Sequence, residues 1–120
     1  GAYVAADLTN LYSLEKGTLT VRKTIGGETG FTAITTHQGV IYVAVSNGRV
    51  FSTTTGKSYD LEFTLPTGVG ASHPPFITAL ASYKGRLYIG TRPSEASDET
   101  QDSGLVYSYD GDNLRLAFTV

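Results

Sequence analysis

The stretch "KGRLYIGT", residues 84–91, follows directly on "FITALASY", residues 76–83, so two apolar runs flank a Lys-Gly pair. A dipeptide ending in Gly between two strand-like runs is hairpin chemistry, because Gly takes up positive φ without steric penalty. The arrangement occurs earlier too. GFTAITTHQGVIYVAVS (30–46) aligns with PFITALASYKGRLYIGT (75–91), placing Tyr42 on Tyr88 and Gly39 on Gly85. GRVFSTTTG (48–56) aligns with GLVYSYDG (104–111), placing Phe51 on Tyr107 and Ser52 on Ser108. AYVAADLTNLYSLEKG (2–17) lies without a gap on IYVAVSNGRVFSTTTG (41–56). Steps of about 40 to 46 residues thus account for nearly the whole chain, the sign of a repeat architecture.

Each unit reads as four short strands, A to D. Strand A is expected at 31–37 and 76–83, strand B at 2–7, 40–46 and 86–91. Strand C is expected at 10–14, 49–53 and 105–109, and strand D at 18–25, 59–65 and 113–120. The units run approximately over 2–25, 30–65 and 75–120, within one domain of residues 1–120, and the first lacks strand A. Strands A and B are nearly continuously apolar (FITALA, VIYVAV), as expected of strands covered on both faces. Strand D alternates, as in Asp60-Leu61-Glu62-Phe63-Thr64-Leu65, which predicts one buried and one wet face. Arg22, Lys23, Asp60, Glu62 and Arg115 are placed on outer edges, where charge blocks pairing with another chain.

Composition agrees and excludes several classes. The 120 residues include 14 Gly and 8 Tyr, and no window shows a helical apolar period. A net charge of −2 and nine scattered Lys and Arg give no phosphate-tracking stripe, so no nucleic-acid partner is expected. The longest apolar run, VIYVAV (40–45), is too short for a membrane helix, and no membrane association is expected. The absence of Cys removes disulfides, thiolate chemistry and Cys-based zinc sites, and fits either redox compartment. The absence of Met raises the expectation that residues upstream have been removed.

Inner strands buried on both faces and a half-wet outer strand describe a blade of a β-propeller, whereas a sandwich has no need of this register repeat. The unit ITALASYKGRLYIGT…GLVYSYDG…LRLAFTV resembles blades of that fold over residues 2–120. STTTGKSY (52–59) further resembles the Asp-box turn, Ser-x-Asp-x-Gly-x-Thr-Trp, of sialidase-like propellers, with Thr54 where the Asp belongs. Glu15 in SLEKG and Asp110 in SYDGD stand at or near that place in the other units. In that family the box is a structural turn, so the resemblance implies a blade and no substrate. The expected fold is all-β, with about three four-stranded antiparallel blades, the first incomplete. Propellers close with roughly four to eight blades, so the ring is completed either by a homodimer of six blades or by the remainder of a longer chain.

Function is sought on connections held by the rigid strands. The D–A connection PTGVGASHPP (66–75) and the long B–C connection RPSEASDETQDSG (92–104) share one end with GGETG (26–30). His73, Arg92, Glu95, Asp98, Glu99 and Asp102 are the candidate ligand-binding residues there. The four acids are hard oxygen ligands of the kind Ca²⁺ takes, but their spacing matches no EF-hand, and they are read as a solvated acidic loop with no cofactor. His37 is placed in an exposed hairpin at the opposite end, and Tyr42 and Tyr88 in the core. Two His on opposite ends assemble neither a His zinc site nor a two-His triad within one chain. The expected function is a non-catalytic propeller module that binds a protein or carbohydrate, or scaffolds. The alternative is part of a propeller hydrolase with catalytic residues outside this chain.

Overall fold

The computed structural model describes residues 3–6, 11–15, 18–22, 31–45, 48–55, 58–67, 74–92 and 104–119. Eleven strands are present among them, and no helix. Strands β1 (Tyr3–Ala6), β2 (Leu11–Glu15) and β3 (Thr18–Arg22) form a three-stranded sheet in the order β1-β2-β3. Strands β4 (Phe31–His37), β5 (Val40–Val45), β6 (Arg49–Thr53) and β7 (Asp60–Thr64) form a second sheet, in chain order. Strands β8 (Phe76–Tyr83), β9 (Arg86–Arg92), β10 (Leu105–Tyr109) and β11 (Leu114–Thr119) form a third, likewise in chain order. Every pairing is antiparallel.

The Gly hinges make the hairpins. Gln38 and Gly39 have φ of 51° and 80°, and Lys84 and Gly85 have 46° and 80°. Positive φ at both central residues defines the type I′ turn, whose twist matches that of the flanking strands. His37 pairs with Val40 and Tyr83 with Arg86 across these turns. The Lys84 ammonium lies 5.2 Å above the Tyr83 ring, bracing the second turn.

The two four-stranded sheets share details that single-strand patterning does not show. A bulge interrupts β4–β5 between Phe31 and Ala33, and β8–β9 between Ile77 and Ala79. A second shifts β6–β7 between Val50 and Phe51, and β10–β11 between Val106 and Tyr107. The next connections differ in how they close. Thr55 N donates to Thr53 Oγ1 (3.2 Å) and Ser58 N to Thr55 Oγ1 (3.4 Å) after β6. After β10, the Asp110 carboxylate accepts from Asp112 N (2.9 Å) and Asn113 N (2.7 Å). Those donors hold its pKa below the ordinary value, with Asn113 the larger influence.

The gapless alignment of the first unit on the second needs one correction. Ala6 pairs with Leu11, whereas its aligned counterpart Val45 pairs with Arg49 and not with Val50. The β1–β2 connection is therefore one residue longer than the β5–β6 connection.

The second and third sheets pack face to face. Tyr42, Ala44 and Val50 of the second sheet, with Leu65, meet Ile77, Leu87, Ile89, Tyr107 and Tyr109 in one buried cluster. On the other face of the second sheet, Phe31, Ile41, Val43, Val45 and Phe51 form a separate cluster. The close approach falls on the early strands: β4 and β5 lie against β8, and β1 lies beside β4. Of the strands expected to be covered on both faces, β5 is buried throughout from Ile41 to Val45. In β8, by contrast, Ala79, Ala81 and Tyr83 are exposed, because their face of the third sheet is not covered among the described residues. Tyr88 is only half-buried for the same reason, whereas Tyr42 is buried.

The expected wet-and-dry alternation of strand D also needs correction. Leu61 and Leu116 are 53% and 55% exposed. Asp60 and Arg115 are exposed as edge charges should be, but Glu62 is half-buried and hydrogen-bonded inward. His37, expected in solvent, is 6% exposed. It is the last residue of β4 and enters the seam between the sheets, where its Nδ1 shares a 2.6 Å hydrogen bond with Ser82 Oγ.

Among the described glycines Gly48 has the closest surroundings. Its φ is +71°, a Cβ there would lie 2.7 Å from Pro74 Cβ, and its carbonyl accepts from Leu65 N at 2.8 Å. Gly85 has φ of +80° but nothing nearer its Cβ position than Gln38 Nε2 at 3.9 Å. Gly85→Ala is therefore expected to lose about 1 kcal/mol from backbone strain alone. Gly48→Ala adds overpacking and is expected to lose about 3 kcal/mol. Urea denaturation of the two variants checks the order; equal losses would contradict the close approach of Pro74.

Candidate functional site

In sheets laid out in chain order, connections alternate between two ends. The β5–β6 and β9–β10 connections lie at one end, and the β4–β5, β6–β7, β8–β9 and β10–β11 connections at the other. The residues singled out from sequence were expected at the first end. Of these, His73, Glu95, Asp98, Glu99 and Asp102 lie outside the described residues. Arg92 ends β9, is exposed, and lays its guanidinium 4.6 Å above the Phe76 ring. The base of the long connection is pinned by one side chain. The Thr91 hydroxyl donates to Leu105 O (2.8 Å) and accepts from Leu105 N (3.1 Å).

The opposite end carries a polar cavity of about 340 Å³, built on the second sheet. Its floor comes from strand register. Ser52 of β6 pairs with Tyr42 of β5 on one side and with Asp60 of β7 on the other, so the three lie in one row. Alternation brings Glu62 to the same face as Asp60. Val40 and the connection residues Thr53, Thr54, Thr55 and Ser58 complete the wall.

Glu62 is the electrostatic centre. Ser52 Oγ donates to its Oε1 at 2.6 Å, and the Tyr109 hydroxyl of the third sheet donates to its Oε2 at 2.8 Å. The Tyr109 hydroxyl is also 2.9 Å from Gly111 O, but the ionised carboxylate is the stronger acceptor for its single proton. Both donors to Glu62 are neutral hydroxyls. Phe63 packs against the Tyr109 ring at 4.7 Å between centroids, joining the sheets beside this bond.

Neighbouring phenols register the charge. Burial, then the hydrogen bond to Glu62 and its charge, push the Tyr109 pKa well above the ordinary phenol range. Burial, and secondarily Glu62, raise that of Tyr42, while burial alone raises that of Tyr107. No group of three or more His, Cys, Asp or Glu able to hold a metal occurs among the described residues.

Sequence reasoning missed this end. The available signal was the spacing of Asp60 and Glu62, which puts two carboxylates on one strand face. Nothing local to β7 reveals that Ser52 and Tyr109 converge on the second of them.

The chain matches no protein-family model and no curated protein.

A phenol whose pKa is raised by folding is more firmly protonated in the folded chain than in the unfolded one. Stability is therefore unaffected below the ordinary value of 10.0 and falls as pH rises above it. Alkaline denaturation is expected to begin with late-titrating tyrosines visible in ultraviolet difference spectra. In Glu62→Gln the Tyr109 transition is expected to move back toward 10.0, with burial preventing full return. An unchanged titration would contradict the Tyr109–Glu62 bond.

Proposed function

We propose that the chain is a non-catalytic β-propeller module that binds or scaffolds, and that a second copy completes its ring. Several features support the propeller reading: two sheets of four strands in chain order, matched bulges, and a close approach of the two sheets centred on their early strands. In a propeller the first strand of each blade lines the axis and the last lies at the rim.

The observation that carries the proposal is the open face of the third sheet. By alignment, Ala79, Tyr88, Gly90 and Val106 stand where Ala33, Tyr42, Ala44 and Val50 stand in the second sheet. The registers agree, since Ala44 pairs with Val50 and Ala33 as Gly90 pairs with Val106 and Ala79. In the second sheet Tyr42, Ala44 and Val50 are buried by the third sheet. In the third sheet the matching residues are exposed or half-buried, and Ala81 and Tyr83 beside them are exposed. A face built to the pattern of one covered by a sheet calls for another sheet of the same kind. The three-stranded sheet of a second copy supplies it, and two copies give a six-bladed ring. Such a ring presents its connections around two rims, where binding surfaces of this architecture lie.

Light scattering on the purified chain tests this. The expected mass is twice the 12.8 kDa of one chain. Ala81→Asp, which places a charge on the open face, is expected to reduce the mass to that of a monomer while leaving the circular dichroism spectrum unchanged. A wild-type chain that is monomeric at every concentration would overturn the proposed ring.

A further inference from the structure

At its hairpin end, the open face of the third sheet carries bases where the second sheet carries an acid and an apolar residue. We propose that Glu15 of a second copy pairs there with Arg115, and that this ionic contact closes the ring. The inference rests on the two-copy ring proposed above and names the contact that fixes how the copies meet.

Register supplies the match between the sheets. In the second, Thr35, Tyr42, Ser52 and Asp60 stand in one row across β4–β7. In the third, Ala81, Tyr88, Ser108 and Arg115 form the same row across β8–β11. The tyrosine and the serine recur, and the acid becomes a base. Val40, paired with His37, has Arg86, paired with Tyr83, as its counterpart. Glu62 lies between the partners of Val50 and Phe51. Ala117 holds that place between the partners of Val106 and Tyr107. The carboxylate that accepts from Tyr109 in one seam is thus replaced by a small apolar residue on the open face.

The β8–β9 and β10–β11 connections at this end lie wholly within the described residues. Lys84, Arg86 and Arg115 outnumber Asp110 and Asp112 here, and both arginines are exposed. The Asp110 carboxylate is already engaged by Asn113 N and Asp112 N. Those donors lower its pKa most, and the charges of Arg86 and Arg115 lower it further. An acid on the incoming surface is the electrostatic complement of this place.

The three-stranded sheet has one acid in its strands, Glu15. Tyr3-Val4-Ala5 repeats Tyr42-Val43-Ala44, and Leu14 pairs with Tyr3 as Ser52 pairs with Tyr42 and Ser108 with Tyr88. Glu15, next along β2, therefore has the strand position of Thr53 and Tyr109 in their sheets. Tyr109 is the residue that crosses to β7 where the third sheet packs on the second. When the three-stranded sheet of a second copy packs on the third in the same way, Glu15 takes that position opposite β11. Ala117 leaves it room, and Arg115 offers a planar fork of donors that matches a carboxylate.

Sedimentation velocity over a range of concentrations and salt tests the pairing. The wild-type dimer is expected to weaken as NaCl is raised, and Arg115→Gln to remove much of that dependence. Arg115→Gln is expected to weaken the dimer by roughly tenfold or more, as for a lost charge-assisted hydrogen bond. Arg115→Glu and Glu15→Arg, which set like charges together in both closing seams, are each expected to weaken it by roughly a hundredfold or more. The chain carrying both reversals is expected to recover the dimer, which loss of folding in either single variant would not allow. A wild-type chain that is monomeric at every concentration would overturn the ring and this pairing together. A wild-type dimer that Arg115→Gln leaves at full strength, or single reversals that do not rescue each other, would overturn the pairing while the ring stands.

Discussion

The described structure depends on one buried contact, where Leu87 and Ile89 of the third sheet press on Tyr42, Ala44 and Val50 of the second. Leu87, Ile89 and Val50 are fully buried, and side chains of this size contribute about 1.5–3 kcal/mol each on burial. A sheet with an apolar face must bury that face against another element. Each sheet therefore owes its order to its neighbour, and hairpin geometry matters because it fixes which residues face that neighbour. A one-residue slip at Gly39 or Gly85 would turn the apolar set of β5 or β9 to the wrong side.

The same contact organises the polar groups. His37 reaches Ser82, and Tyr109 reaches Glu62, only because the two sheets are already in register. Both bonds lie at the hairpin end, on the margin of the apolar cluster. They are directional where the core is not, and they resist sliding of one sheet over the other. Tyr109 contributes in both ways, packing its ring on Phe63 while its hydroxyl holds a carboxylate.

Much of this order was legible in the residues, and the remainder was hidden for a definable reason. The strands at 31–37, 49–53, 76–83 and 105–109 fall where alternation and Gly spacing put them, because both signals are local. Burial was legible for Tyr42 and Val43 but not for His37, Leu61 or Tyr88. Their exposure depends on how far one sheet extends over another, which no strand encodes by itself. Glu62 illustrates the same limit. Its place on a strand face follows from period-two alternation, yet its role depends on Ser52 across the ladder and on Tyr109 from the next sheet. The acidic connection drew attention through unusual length and composition, while the cavity residues are ordinary sheet residues made distinctive by convergence.

The Thr91 clasp has a consequence for how such a chain can change over time. Its hydroxyl engages both the amide and the carbonyl of Leu105, so it ties the end of β9 to the start of β10. Lengthening a loop whose ends are already held costs only roughly 0.6 kcal/mol per doubling. The neck between β9 and β10 is thus a socket that accepts new sequence while β8–β11 keep their register. The corresponding place in the second sheet, where Gly48 sits under Pro74, leaves no such room.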